Sequence, residues 1–112
     1  MSKVNIKHLL AYALVAFFIV GSIGNFMGPQ KILEEYARWG YPSWFHLVTG
    51  SLELISAILI AIVATRFVGS ILASCIMLSA ALTVIYHGEY THAIAPLVVL
   101  ILLLLSIYLH RK

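Results

Sequence analysis

The residues that could do chemistry are few, and Glu53 leads them. It sits in a run from Trp44 to Thr65 that is otherwise apolar, small or weakly polar. A carboxylate at membrane depth costs roughly 2.5–3.5 kcal/mol on insertion scales, and such groups face a partner or a water-filled cavity. His46, Thr49, Gly50, Glu53, Ser56, Ala57 and Ile60 recur at helical spacing, which puts one polar and small stripe toward protein rather than lipid. Three more polar residues lie near the same end of neighbouring runs: Asn25, Lys31 and His87. Glu53, Lys31, Asn25, His46, Thr49 and His87 therefore form the candidate ligand- or proton-binding set. No catalytic set is expected. Ser70, Ser74 and Ser79 have no recognisable nucleophile setting and read as helix-packing residues.

Depth tests whether these groups can meet. Glu53 lies nine residues past Trp44, or roughly 13 Å down a helix. At that level the first apolar run offers Ser22 and the third offers Ser79, while Asn25 and His87 read as higher, nearer His46. Two states remain open to Glu53. It is ionised in an outward pocket with Lys31 or His87 as partner, or it is protonated and bonded to a neighbouring hydroxyl.

Other candidates carry less. His87 and His92 stand five apart across Gly88, with Glu89 between them. Zinc sites present three or four closely spaced ligands, so no metal site is expected. His8 and His110 read as interfacial. Cys75 is the lone cysteine and reads as a small buried residue; it can form neither an internal disulfide nor a CxxC centre.

Composition explains why Glu53 is an anomaly. Hydrophobic residues make up 62% of the 112, and charged residues only 10%, against about 25% in a soluble domain. A chain this short cannot hide so much apolar surface from water. The few charges form no basic stripe, so no nucleic-acid partner is expected. The expected partner is the lipid bilayer.

The fold expected is all-α: a polytopic membrane protein forming one domain over 1–112. It has an antiparallel bundle of four transmembrane helices at about 8–27, 44–65, 67–86 and 91–109. The charge-free run from Leu9 to Gln30 exceeds a signal peptide's apolar core and fits a retained span. Gly24 and Gly28 form a GxxxG, which serves either helix packing or simple termination before Pro29. A short amphipathic interfacial helix is expected at about 29–39, with Ile32, Leu33, Tyr36 and Trp39 on one side. Lys31–Glu35 and Glu34–Arg38 are its i,i+4 pairs. Trp39, Tyr41 and Trp44 suit the membrane interface. Lys3, Lys7, Arg66, Arg111 and Lys112 share one side of this topology, whereas Lys31 and Arg38 share the other. The positive-inside rule then puts both termini in the cytoplasm.

Two motifs add a family. Gly21 to Lys31 places a small residue before a Lys at the end of the first span, and Trp39-Gly40-Tyr41-Pro42 is followed by Gly50 and Glu53. This resembles the DoxX-like family of small membrane proteins, with its Gly-Tyr-Pro turn and Gly-x-x-Glu on the second helix. The resemblance implies a four-helix membrane bundle in the bacterial inner membrane, with Glu53 and Lys31 at the family's Glu and Lys positions. It implies no single activity. Some relatives are subunits associated with quinone-linked sulfur oxidation or oxidative-stress complexes, and a distant animal relative is an assembly chaperone for neurotransmitter receptors.

The function expected is non-catalytic. The outward pocket around Glu53 would bind a lipid-like ligand (a quinone or a lipid) or a partner membrane protein. No resident cofactor is expected, and a homodimer would cover the remaining apolar faces. One alternative is a proton-coupled small-molecule transporter. The length resembles that of small multidrug exporters, although those carry their essential Glu in the first span. Another is a membrane subunit of a quinone-linked oxidoreductase complex.

Overall fold

The computed structural model describes residues 3–110, with side chains from Ile6 onward. It holds five α-helices: α1 Lys3–Met27, α2 Gln30–Arg38, α3 Phe45–Ala61, α4 Arg66–Tyr86 and α5 Ile94–His110. Short 3-10 turns at Val63–Thr65 and Tyr90–Ala93 lead into α4 and α5. Arg111 and Lys112, counted in the expected charge bias, lie outside the described residues, as does the side chain of Lys3.

The segments Ile6–Met27, Val63–Tyr86 and Tyr90–His110 are long and apolar enough to cross a membrane. The expected second span is shorter: α3 has 17 residues and stops at Ala61. Ile62 ends it by turning extended, with φ −94° and ψ 120°. The Thr65 hydroxyl then donates to the Leu59 carbonyl at 2.8 Å, satisfying one acceptor the helix end leaves open. The last span, Tyr90–His110, opens on the 3-10 turn Tyr90–Ala93 before α5 begins at Ile94.

The long helices pack in chain order. α1 lies extensively on α3, α3 on α4 and α4 on α5, and α5 closes more lightly onto α1. Small residues permit the close approaches. A Cβ on Gly69 would stand 2.7 Å from Leu59 Cβ and 2.8 Å from the Ile60 amide nitrogen. Ala11, Leu14, Phe18, Ala57, Ile60, Ala73, Met77, Val99 and Leu103 form the core. Bulky side chains such as Val20, Ile23, Phe67, Ile71, Leu82, Ile101 and Leu104 point outward. This inverted pattern is that of a bundle whose solvent is lipid, where helices meet through small residues.

The GxxxG does not pack the helices as one unit. A Cβ on Gly24 would meet nothing within 4 Å, whereas Gly28 follows the end of α1 and sits against the His46 ring. The close contacts fall instead on Gly21, against Glu53, and on Gly50, against Asn25 and Ser22.

Two matching caps set the end of the bundle that carries α2. Gly40 ends α2 at φ +87°, with its N–H donating to the Ala37 carbonyl and that of Tyr41 to Tyr36. Gly88 ends α4 at φ +75°, with its own N–H donating to Ile85 and that of Glu89 to Val84. Both are Schellman motifs, whose left-handed residue is cheapest as glycine. They turn Trp39 and Glu89 toward each other.

Candidate functional site

Glu53 projects from the buried face of α3 and is 6% exposed. Its partner is Asn25 of α1, whose Nδ2 donates to Oε1 at 2.9 Å. Neither Lys31 nor His87 reaches it, and Asn25 does not sit a turn too high. In antiparallel helices each side chain leans toward its own helix N-terminus. Asn25 therefore leans down from α1 while Glu53 leans up from α3, which closes the gap inferred from Cα heights. Gly21 makes room, because a Cβ there would lie 3.0 Å from Glu53 Oε2. Ser22, at the depth expected, bonds the Gly50 carbonyl at 2.9 Å instead.

Asn25 is doubly tied. Its Nδ2 also donates to the Gly21 carbonyl at 3.0 Å, and its Oδ1 accepts from the Tyr36 hydroxyl at 2.9 Å. Tyr36 thus links α2 to the Asn25–Glu53 pair. Burial pushes its hydroxyl above the ordinary tyrosine value, against a Thr49 hydrogen bond that acts the other way. The group therefore stays a donor at neutral pH.

Beneath α2 lies a cavity of about 680 Å3. Tyr36, Trp39, Tyr41 and Phe45 form its aromatic wall, and Leu72, Ile76, Met77 and Ala80 of α4 form part of its apolar body. Tyr41 and Phe45 stack, with centroids 4.4 Å apart. The Thr83 hydroxyl donates to Ser79, so Tyr41 is the donor in its 2.7 Å bond to Thr83. Lys31 and Thr49 also line this space, but Glu53 stands behind Tyr36, off the wall. Cys75, expected to be buried, is exposed and lines the cavity.

The candidate set therefore divides. Glu53, Asn25 and Thr49 gather around Tyr36, a residue whose sequence signal was only its place on the apolar side of α2. Lys31 stands at the cavity without a hydrogen bond to Glu53. His46 packs on Gly28, with its Nδ1 buried and unpartnered. His87 turns back to its own helix, its Nδ1 bonded to the Thr83 carbonyl at 2.8 Å. It therefore makes no loop site with Glu89 and His92.

A clasp holds α2 over the cavity. Arg38 meets Glu89 through two bonds, Nε to Oε2 at 3.0 Å and Nη2 to Oε1 at 2.8 Å. Trp39 Nε1 donates to Oε2 at 2.9 Å, and His92 Nδ1 lies 2.9 Å from Oε1. The Arg38 and Trp39 bonds hold the Glu89 carboxyl down at about 2. The expected i,i+4 pairs give way to this arrangement: Arg38 goes to Glu89, and Glu34 accepts from Gln30 instead. A forked guanidinium–carboxylate bond supplies more fixed geometry than two flexible surface side chains. Trp44, the third aromatic of the expected rim, is exposed and stands outside the main cavity.

The opposite end carries a cluster the sequence did not suggest. Arg66 is 2% exposed. Its Nε donates to the Ile60 carbonyl and its Nη2 to that of Ala61, while Nη1 lies 3.1 Å from His8 Nδ1 and 3.2 Å from His110 Nε2. The guanidinium also stands over the Tyr12 ring, 5.5 Å from its centroid. His8 and His110, expected as interfacial, are its acceptors.

Comparison with curated proteins and with solved structures gives no match. The model of the DoxX-like family, in contrast, matches residues 9–106, a stretch that holds Asn25, Tyr36, Glu53 and the whole cavity wall. This integral membrane protein belongs to the DoxX-like family.

Proposed function

We propose that the protein is a non-catalytic binder of a lipid-like ligand, a quinone or a lipid, held in the cavity beneath α2. The cavity itself carries the reading. Its size falls within the roughly 300–1,000 Å3 of small-molecule sites, and it pairs apolar walls with a few polar groups as such sites do. An apolar body would lie along Leu72, Ile76 and Met77. A polar head would meet Lys31, Thr49 and the Tyr36 hydroxyl. Through Tyr36 and Asn25, occupancy would be felt at Glu53.

In this reading α3 is the fourth span, and both termini face the cytoplasm of a bacterial inner membrane. The clasp then faces outward. The exposed α1 face around Gly24 would be covered by lipid or by a second copy of the chain. Native mass spectrometry of gently extracted protein tests the proposal. Wild type should carry a species of lipid or quinone mass, and Ala80→Trp should lose it by filling the cavity while still folding. Wild type that is stripped bare under mild extraction would sink the reading. The same spectra report the number of subunits and any partner protein.

One observation favours a second reading, a proton-coupled transporter: Glu53 is buried with an amide donor and no cation. Proton release on adding an organic cation to purified protein, abolished by Glu53→Gln, would support it over simple binding.

A further inference from the structure

The cluster at the Arg66 end takes no part in the cavity, yet it joins four helices. His8 comes from α1, the Ile60 and Ala61 carbonyls from α3, Arg66 from α4 and His110 from α5. Arginine stays charged, and a buried charge needs acceptors on all sides. The four side-chain carboxylates, Glu34, Glu35, Glu53 and Glu89, all lie elsewhere in the fold. Neutral imidazole nitrogens take their place.

The bonds fix both tautomers. The His110 Nδ1 lies 2.8 Å from the Ser106 carbonyl, so Nδ1 carries the hydrogen and Nε2 offers its lone pair to Arg66. His8 faces Arg66 with Nδ1, so its hydrogen is on Nε2. A proton on either ring would remove that lone pair and set a second positive charge about 3 Å from the guanidinium. Among the described residues no side-chain carboxylate bonds either ring or Arg66. Among the described residues the charged groups acting on His110 are Arg66, Lys7 and His8, all cationic when protonated. Tyr12 of α1 adds only its ring face to Arg66, and α3 adds only carbonyls.

We propose that His8, His110 and Arg66 form a proton-binding latch. With both imidazoles neutral it ties α1 and α5 to the α3–α4 turn, and one proton on either ring releases them. The sign follows from the bonds. The closed latch excludes protons that the open form accepts, so acidification on this side favours opening. The light contact between α1 and α5 makes that seam the one that parts.

Spin labels at Leu9→Cys and Leu105→Cys, both exposed positions, would report the seam in a Cys75→Ser background. In lipid nanodiscs we expect one narrow distance distribution at about pH 8. At about pH 5, below the ordinary histidine value of about 6.5, a longer-distance population should dominate. The double variant His8→Gln and His110→Gln keeps an acceptor at each position and cannot take up the proton, so it should stay closed at both pH values. Wild-type distances that do not change, or a Gln variant that opens like wild type, would overturn the proposal. If the Gln variant does not fold, nitrogen-15 spectra of the wild-type imidazoles decide. Neutral rings at about pH 8 with the hydrogen on His8 Nε2 and His110 Nδ1 support the latch, and any other tautomer pair overturns it.

Discussion

The two ends of the bundle face the same problem, an ionisable group in an apolar setting, and resolve it differently. At one end Arg66 bonds two carbonyls and two imidazoles from three other helices, and the site is closed. At the other end Glu53 has a single amide donor, and the space in front of its bridging Tyr36 is open. A charge that is fully bonded locks helices together. On the proposed reading, one that is sparsely bonded beside a cavity is left available to respond to a ligand. The first arrangement stabilises, and the second suits binding.

Substitutions can break this contrast. The largest loss is expected for Arg66→Ala, which leaves buried and half-buried acceptors on three helices without their donor. At about 1–3 kcal/mol for each orphaned buried group, the loss should reach about 3 kcal/mol or more. Unfolding in mixed detergent micelles would measure it, and a loss under about 1 kcal/mol would mean that the end is not closed as described.

Next comes Gly21→Ala. Its Cβ would lie 3.0 Å from Glu53 Oε2, so the carboxyl must give by a few tenths of an ångström and its bond to Asn25 is disturbed. Overpacking of a core costs about 1–3 kcal/mol, and yielding by a flexible carboxyl tip puts this case near the lower figure; ligand capture should fall with it.

Glu53→Gln sharpens the comparison. The Gln amide oxygen can still accept from Asn25, so stability should change by less than about 1 kcal/mol. Ligand retention in native mass spectra should nevertheless drop. If Glu53→Gln unfolds the protein as Arg66→Ala does, the two ends are alike and Glu53 is structural.

The smallest effect concerns the clasp. The Glu89 carboxyl lies at about 2 in the folded protein, below its ordinary 4.5, because Arg38 and Trp39 bond the ionised form. A lowered folded value means that its stabilisation is complete above about 4.5 and is lost as pH falls through about 2. Fluorescence of Trp39, read in a Trp44→Phe background, should hold steady from neutral pH to about 4 and change only below that. In Glu89→Gln the altered signal should already be present at neutral pH, with the unfolding midpoint only slightly lowered because the pair is exposed.

Much of this was legible in the chain. The apolar runs gave the long helices, because only helices satisfy their own backbone in lipid. The Gly40-Tyr41-Pro42 turn and the amphipathic spacing of 29–39 located α2 within a residue or two. The stripe on α3 pointed to Glu53 as a residue that faces protein. Its partner was misread because depth along a helix locates Cα atoms, whereas Asn25 and Glu53 bond through side chains that lean toward each other. Arg66 entered the sequence reading only as a charge between two spans, counted toward the topology. The structure leaves Ile62 and Val63 exposed but turns the Arg66 side chain inward and makes its charge the hub of the end.

What the sequence determined by itself was the medium, the helices and the identity of the costly carboxylate. Those follow from composition and periodicity, which are properties of neighbours along the chain. Only the tertiary structure decided which groups meet: Asn25 with Glu53, Arg38 with Glu89, Arg66 with His8 and His110. Those pairs are 28, 51, 58 and 44 residues apart. Their contact depends on helix register and side-chain lean, which local sequence pattern does not carry.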